Sequence, residues 1–246
     1  MQTGSTVRGS ATGRATRRVL PVLLLLVFAA GFAALGIWQV QRLAWKEALI
    51  ADVARALRAA PVPPEALPRG DLAALTYHRV VVNGVFDPRG VVLATATSPL
   101  GNGYWVMVPV SRGAAPAIWV NRGFVPLGTR LEAARAAVPT GPVRVVGLVR
   151  QTEPRGTLLR ANRPEQERWY ARDLSAMTIA RRLPPGETRY FLDAQTETPA
   201  RTLAPVPVPG LTVVQFPNNH LAYALTWFAL AGLSLAAIFV VVRKAR

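Results

Sequence analysis

The chain has 246 residues, 51% of them hydrophobic, and carries 29 Lys or Arg against 13 Asp or Glu, a formal net charge of +16. With no cysteine it holds no disulfide, no thiolate nucleophile, no copper–thiolate site and no covalently attached c-type haem. A mean hydropathy of +0.24 is high for a water-soluble protein and directs attention to membrane segments.

Residues 1–18 form a basic tail with Arg8, Arg14, Arg17, Arg18 and no acid. Residues 19–40 then run 22 positions without a charge, long enough as a helix to cross about 30 Å of hydrocarbon. Pro21 falls in the first turn, where a missing N–H is tolerated. A cleaved signal peptide is the alternative for this run, with Ala33 and Ala34 as small residues for a peptidase. Its length, and its continuation without a turn signal into an amphipathic stretch, favour an anchor. Arg17 and Arg18 make a twin-arginine pair, but so apolar a segment after them favours insertion.

Past the span, Trp38, Arg42 and Trp45 fall at i, i+4 and i+7, the pattern of an interfacial helix face. The helix is predicted to reach Leu57 or Arg58 and to stop at the prolines of residues 61–68. Short runs rich in Val and aromatics follow at 77–86, 91–97, 104–110, 117–125, 143–151, 189–193 and 211–216, separated by Gly, Pro, Asn or Asp. They predict an antiparallel sheet or partly closed barrel, interrupted by one helix at 169–182, where Asp173 and Met177 follow Trp169 at i+4 and i+8. Residues 200–210 read as a proline-rich connection. No internal repeat is evident.

A second uncharged run, 221–242, predicts another membrane helix, with His220 at its start and the basic tail 243–246 after it. Backbone groups in lipid must be satisfied within their own segment, so both runs should be helical. The fold class is therefore two transmembrane α-helices, 19–40 and 220–242, flanking a β-rich α+β extracytoplasmic domain within 41–219. Basic flanks on both spans put both termini in the cytoplasm. The central domain then faces the periplasm of a bacterial inner membrane, with the mitochondrial inner membrane as the second choice.

The charge does not read as nucleic-acid binding. Of the 29 basic residues 27 are Arg, as a GC-rich genome would give, and seven lie in the two tails. No nucleic-acid motif accompanies the rest, and anionic lipid is the more fitting partner.

The catalytic inventory is small: two histidines and no metalloprotease, serine-hydrolase, P-loop or dinucleotide motif. His78, on a strand face with Val80, Val82 and Phe86, reads as a satisfied, partly buried structural residue. His220 has two readings. It is either a solvated helix-start residue or an imidazole aimed at a ligand, with Tyr223 and Trp227 on its face at i+3 and i+7.

Six segments carry a resemblance: GIWQVQRLAWKEALI (36–50), YHRVVVNGVFD (77–87), GYWVMVPV (103–110), WVNRGFVP (119–126), ANRPEQERWYARDLSAM (161–177) and NNHLAYALTWFALA (218–231). In this order they resemble the surfeit-locus-one family of cytochrome c oxidase assembly factors. Phe124 stands where the family usually has Trp after the Asn-Arg-Gly motif, and the proline-rich stretches around 61–68 and 200–209 match nothing in it. The resemblance implies a non-enzymatic assembly factor for a haem–copper oxidase that holds haem a transiently for insertion into the catalytic subunit. It implies His220 as an axial ligand to the iron, with Tyr223 and Trp227 packing on the macrocycle and Arg42 near a propionate. Partners would be the oxidase catalytic subunit, membrane lipid and the haem a synthesis machinery. The alternatives are a haem-independent scaffold for an assembly intermediate and, remotely, a membrane-anchored periplasmic hydrolase.

Overall fold

The computed structural model describes residues 12–68, 70–154, 160–199, 207–211 and 216–244. In chain order its elements are α1 (Thr12–Arg58), α2 (Leu72–Leu75), β1 (Arg79–Phe86), β2 (Val92–Ser98), β3 (Gly101–Arg112), β4 (Ala115–Pro126), α3 (Leu131–Ala136), β5 (Pro142–Gln151), α4 (Leu174–Ala180), β6 (Glu187–Thr198) and α5 (His220–Arg243). They form two compact units, one from residues 1–52 and 215–246, the other from 53–214.

Two helices are long and apolar enough to cross a membrane, Val19–Arg58 and His220–Arg243, and the first unit holds the second of them and all of the first up to residue 52. Most of their large apolar side chains, among them Leu20, Val27, Leu225 and Leu233, are exposed. That suits lipid as the solvent, since packed protein would cover them. At 47 residues α1 is about 70 Å long, more than twice what a bilayer core needs.

The second unit is a six-stranded sheet in the order β1-β5-β6-β4-β3-β2. Its neighbours are antiparallel except β4 and β6, which run parallel. Val85 and Phe86 of β1 also pair with Ser111 and Val110 of β3, curling the sheet into a partly closed barrel. Alternate side chains point to opposite faces of a strand. Val80, Val82, Phe86, Val108, Val110, Ile118, Val120, Val145 and Leu192 fill one cluster. Met107, Trp119 and Phe191 point the other way and meet Trp169, Leu174 and Met177 under α4. Because both faces are covered, β4 is buried without interruption from Ile118 to Val125.

Helix α4 is shorter than the 169–182 expectation. Asp173 is its N-cap and accepts from the Ala176 N–H at 3.0 Å. Trp169 is extended, its carbonyl accepting from Thr95 N–H at 2.7 Å. Its apolar spacing with Met177 reflects a shared layer, not a shared helix. The expected strand at 211–216 lies largely outside the described residues. Beside it, Val208 and Phe124 exchange both backbone hydrogen bonds, at 2.9 and 3.0 Å.

The Asn-Arg-Gly motif is the polar centre of this unit. Gly123 has φ +127, and a Cβ there would lie 2.3 Å from the Val208 carbonyl oxygen, so no side chain fits. Asn121 donates to Asp193 at 2.8 Å and accepts from the Gly123 N–H at 3.1 Å. Arg122, 2% exposed, forks onto Glu197 with contacts of 2.9 and 2.7 Å. Nearby, burial opposes ionisation of Glu153, yet the hydrogen-bonded, charged Arg172 guanidinium outweighs it and holds the carboxyl below the usual glutamate range. Breaking one half of a buried ion pair strands the other charge. Arg122→Ala should therefore cost about 3–5 kcal/mol, read as a large drop in melting temperature, and the double variant Arg122→Met with Glu197→Leu should recover much of it.

Candidate functional site

The two helices of the first unit pair through narrow stripes. On α5, Ala224, Ala231 and Ser234 are buried, and His220 and Trp227, half-buried, fill the same 4-3-4-3 spacing. On α1, Ala29, Gly36 and Gln39 are buried on a stripe that also includes the half-buried Phe32. Lipid chains are as apolar as leucine, so no hydrophobic force joins helices inside a membrane; small residues allow close approach and polar pairs add glue. Gly36 supplies the closest approach, since a Cβ there would meet the Phe228 ring at 2.6 Å.

The contacts run in opposite chain directions. Phe32 stacks on Trp227 with centroids 5.7 Å apart, Gln39 meets His220, and Lys46 lies over Phe216 at 5.1 Å. The helices are thus antiparallel. Hydroxyls inside the spans are satisfied locally, Thr226 donating to Ala222 O and Ser234 to Leu230 O, both at 2.9 Å.

His220 is the first residue of α5. Its Nδ1 lies 2.7 Å from Gln39 Oε1. Among the described residues Nε2 makes no hydrogen bond, and Asn218 Oδ1 is buried without a partner two residues earlier. A polar pair, Gln39 and His220, therefore sits at one end of otherwise apolar helices.

Of the residues singled out from sequence, His220 and Trp227 come together on the α1-facing side, whereas Tyr223 is 56% exposed and outside the seam. Arg42 places its guanidinium 4.3 Å over the Trp45 ring. Trp38 and Trp45 are both about half exposed, as an interfacial face requires. Gln39 was not anticipated. The available signal was an amide three residues after Gly36 near the end of an uncharged run.

His78 differs from expectation. It is partly buried just before β1, and its backbone is satisfied by Leu75 O at 3.0 Å and Val149 N at 2.9 Å. Its Nδ1, however, is buried with no partner among the described residues. Among the described residues no carboxylate or serine hydrogen-bonds it, as a hydrolytic triad would need. No group of three or more His, Asp or Glu gathers among the described residues.

The profile of the SURF1 family matches residues 26–232, which takes in the β-rich unit, His220 and all of the seam but Ser234. Surfeit locus protein 1 of Homo sapiens is 34% identical over 245 residues, covering 92% of this chain and 79% of that protein. The Mus musculus protein of the same name is 37% identical, covering 84% and 70%. That of Takifugu rubripes is 32% identical, covering 84% and 90%.

The helix pairing is testable in a chain without cysteine. Cysteines placed at 39 and 220 should be joined by a short bismaleimide. Adding Gly36→Leu, which drives a branched side chain into the space of Phe228, should cut the yield several-fold.

Proposed function

The chain belongs to the SURF1 family, known as cytochrome oxidase assembly factors, and from that premise we propose that it carries haem a to the oxidase catalytic subunit, with His220 as the axial ligand. The observation that carries this reading is the asymmetry of the His220 ring. Nδ1 is engaged by Gln39, while Nε2 makes no hydrogen bond among the described residues. A neutral imidazole with one free nitrogen is a standard haem ligand.

The surroundings suit the cargo. Exposed apolar side chains along both helices match an isoprenoid tail and a porphyrin edge. Tyr223, exposed, is available to a macrocycle without disturbing the seam. Trp227, held by Phe32, forms a fixed wall. Arg42, on the ring of Trp45, is a cation of the right kind for a propionate. A single protein ligand favours release, as a carrier needs.

The reading includes a location and partners. The antiparallel pairing supports a topology with both basic flanks on one side, which we read as the cytoplasmic side of a bacterial inner membrane. The β-rich unit then works in the periplasm. Haem a arrives from its synthesis machinery and leaves to the catalytic subunit, the protein itself catalysing nothing.

The test is made in cells. Deleting the gene should lower oxidase activity and haem a occupancy of the oxidase while haem a synthesis continues. His220→Ala, which leaves an apolar helix able to insert, should reproduce the deletion at normal protein level. Loss of haem a altogether would point to a biosynthetic enzyme, and full complementation by His220→Ala would remove the proposed ligand.

A further inference from the structure

Resting on the reading of His220 as a ligand, we propose that Gln39 is the positioning residue that makes it one, fixing the imidazole with its proton on Nδ1 and its lone pair on Nε2. A neutral imidazole has one N–H and one bare nitrogen, and which is which follows from the hydrogen bond that one of them makes. At 2.7 Å, Gln39 Oε1 accepts from Nδ1–H. Nε2 is then bare, and it makes no hydrogen bond among the described residues.

The cost of keeping Gln39 argues for this task. It is 9% exposed, at the end of a stripe that Ala29 and Gly36 fill with minimal side chains. An amide in that place is expensive unless bonded, and apolar residues would serve helix packing as well. Its partner is 181 positions away on the other helix, so the bond also ties the ligand's orientation to the pairing of α1 with α5.

The choice of an amide over a carboxylate has a chemical consequence. A carboxylate accepting from Nδ1–H pushes electron density onto the ring and strengthens the Nε2–metal bond. A neutral carbonyl orients the ring with less push. A site that must give up its haem is better served by orientation without tight binding.

The test uses full-length protein in detergent, labelled with 15N-histidine. Only two imidazoles contribute, and His78→Ala removes one. His220 should read as the Nδ1–H tautomer in the parent protein and revert to Nε2–H in Gln39→Leu. Titrated with hemin, Gln39→Leu should bind about 10- to 100-fold more weakly, the range for loss of such a supporting bond. Gln39→Glu, which keeps the acceptor and the helix pairing, should still bind hemin and shift its reduction potential downward. An Nε2–H tautomer in the parent, or an unchanged tautomer and affinity in Gln39→Leu, overturns the inference. So does an unchanged potential in Gln39→Glu, which would reduce the bond to interhelical glue. If His220→Ala titrates like the parent, the ligand reading itself falls; if His220→Ala loses hemin while Gln39→Leu does not, only the role of Gln39 falls.

Discussion

Hydrocarbon offers no hydrogen bonds, and that single fact orders the membrane unit from backbone to site. Backbone groups must close their bonds within a segment, so the uncharged runs become α1 and α5. Thr226 and Ser234 turn their hydroxyls back onto carbonyls four residues earlier for the same reason. Where a side chain cannot reach its own backbone, it must find a partner across the seam, and Gln39 and His220 find each other. That pairing engages the Nδ1 side of the imidazole, and among the described residues Nε2 makes no hydrogen bond.

The β-rich unit meets its own version of the constraint with charge. Closure of β1 onto β3 and the layer under α4 bury β4 on both faces, which forces the Asn-Arg-Gly motif inside. Asn121 and Arg122 are tolerable there only because Asp193 and Glu197 come to meet them from β6. The parallel pairing of β4 with β6 brings those acids alongside.

How much of this was legible in the sequence depends on range. Both spans and the six strands of the sheet were readable because apolar length and alternation are local. The start of α4 was misjudged because Trp169 and Met177 share a buried layer and mimic a helical period, although Asp173 carried the cap signal. The parallel β4–β6 pair was not readable, since side-chain alternation reports which face is buried and not which strand lies alongside or in which direction. At the site, His220 was visible by its place at a span boundary, and Trp227 by spacing. Tyr223 shares that spacing yet is exposed, because the seam on α5 is narrower than the helix face. Gln39 was beyond reach, its meaning residing in a contact 181 positions away.

We propose that this helix pair holds haem a through His220. The most direct measurement is the optical spectrum of the protein purified in detergent from cells that make haem a, set beside that of His220→Ala. Bound haem a with the bands of an imidazole-ligated iron is expected in the parent protein, absent or displaced in the variant. A colourless parent protein, or identical haem spectra in the two, would contradict it.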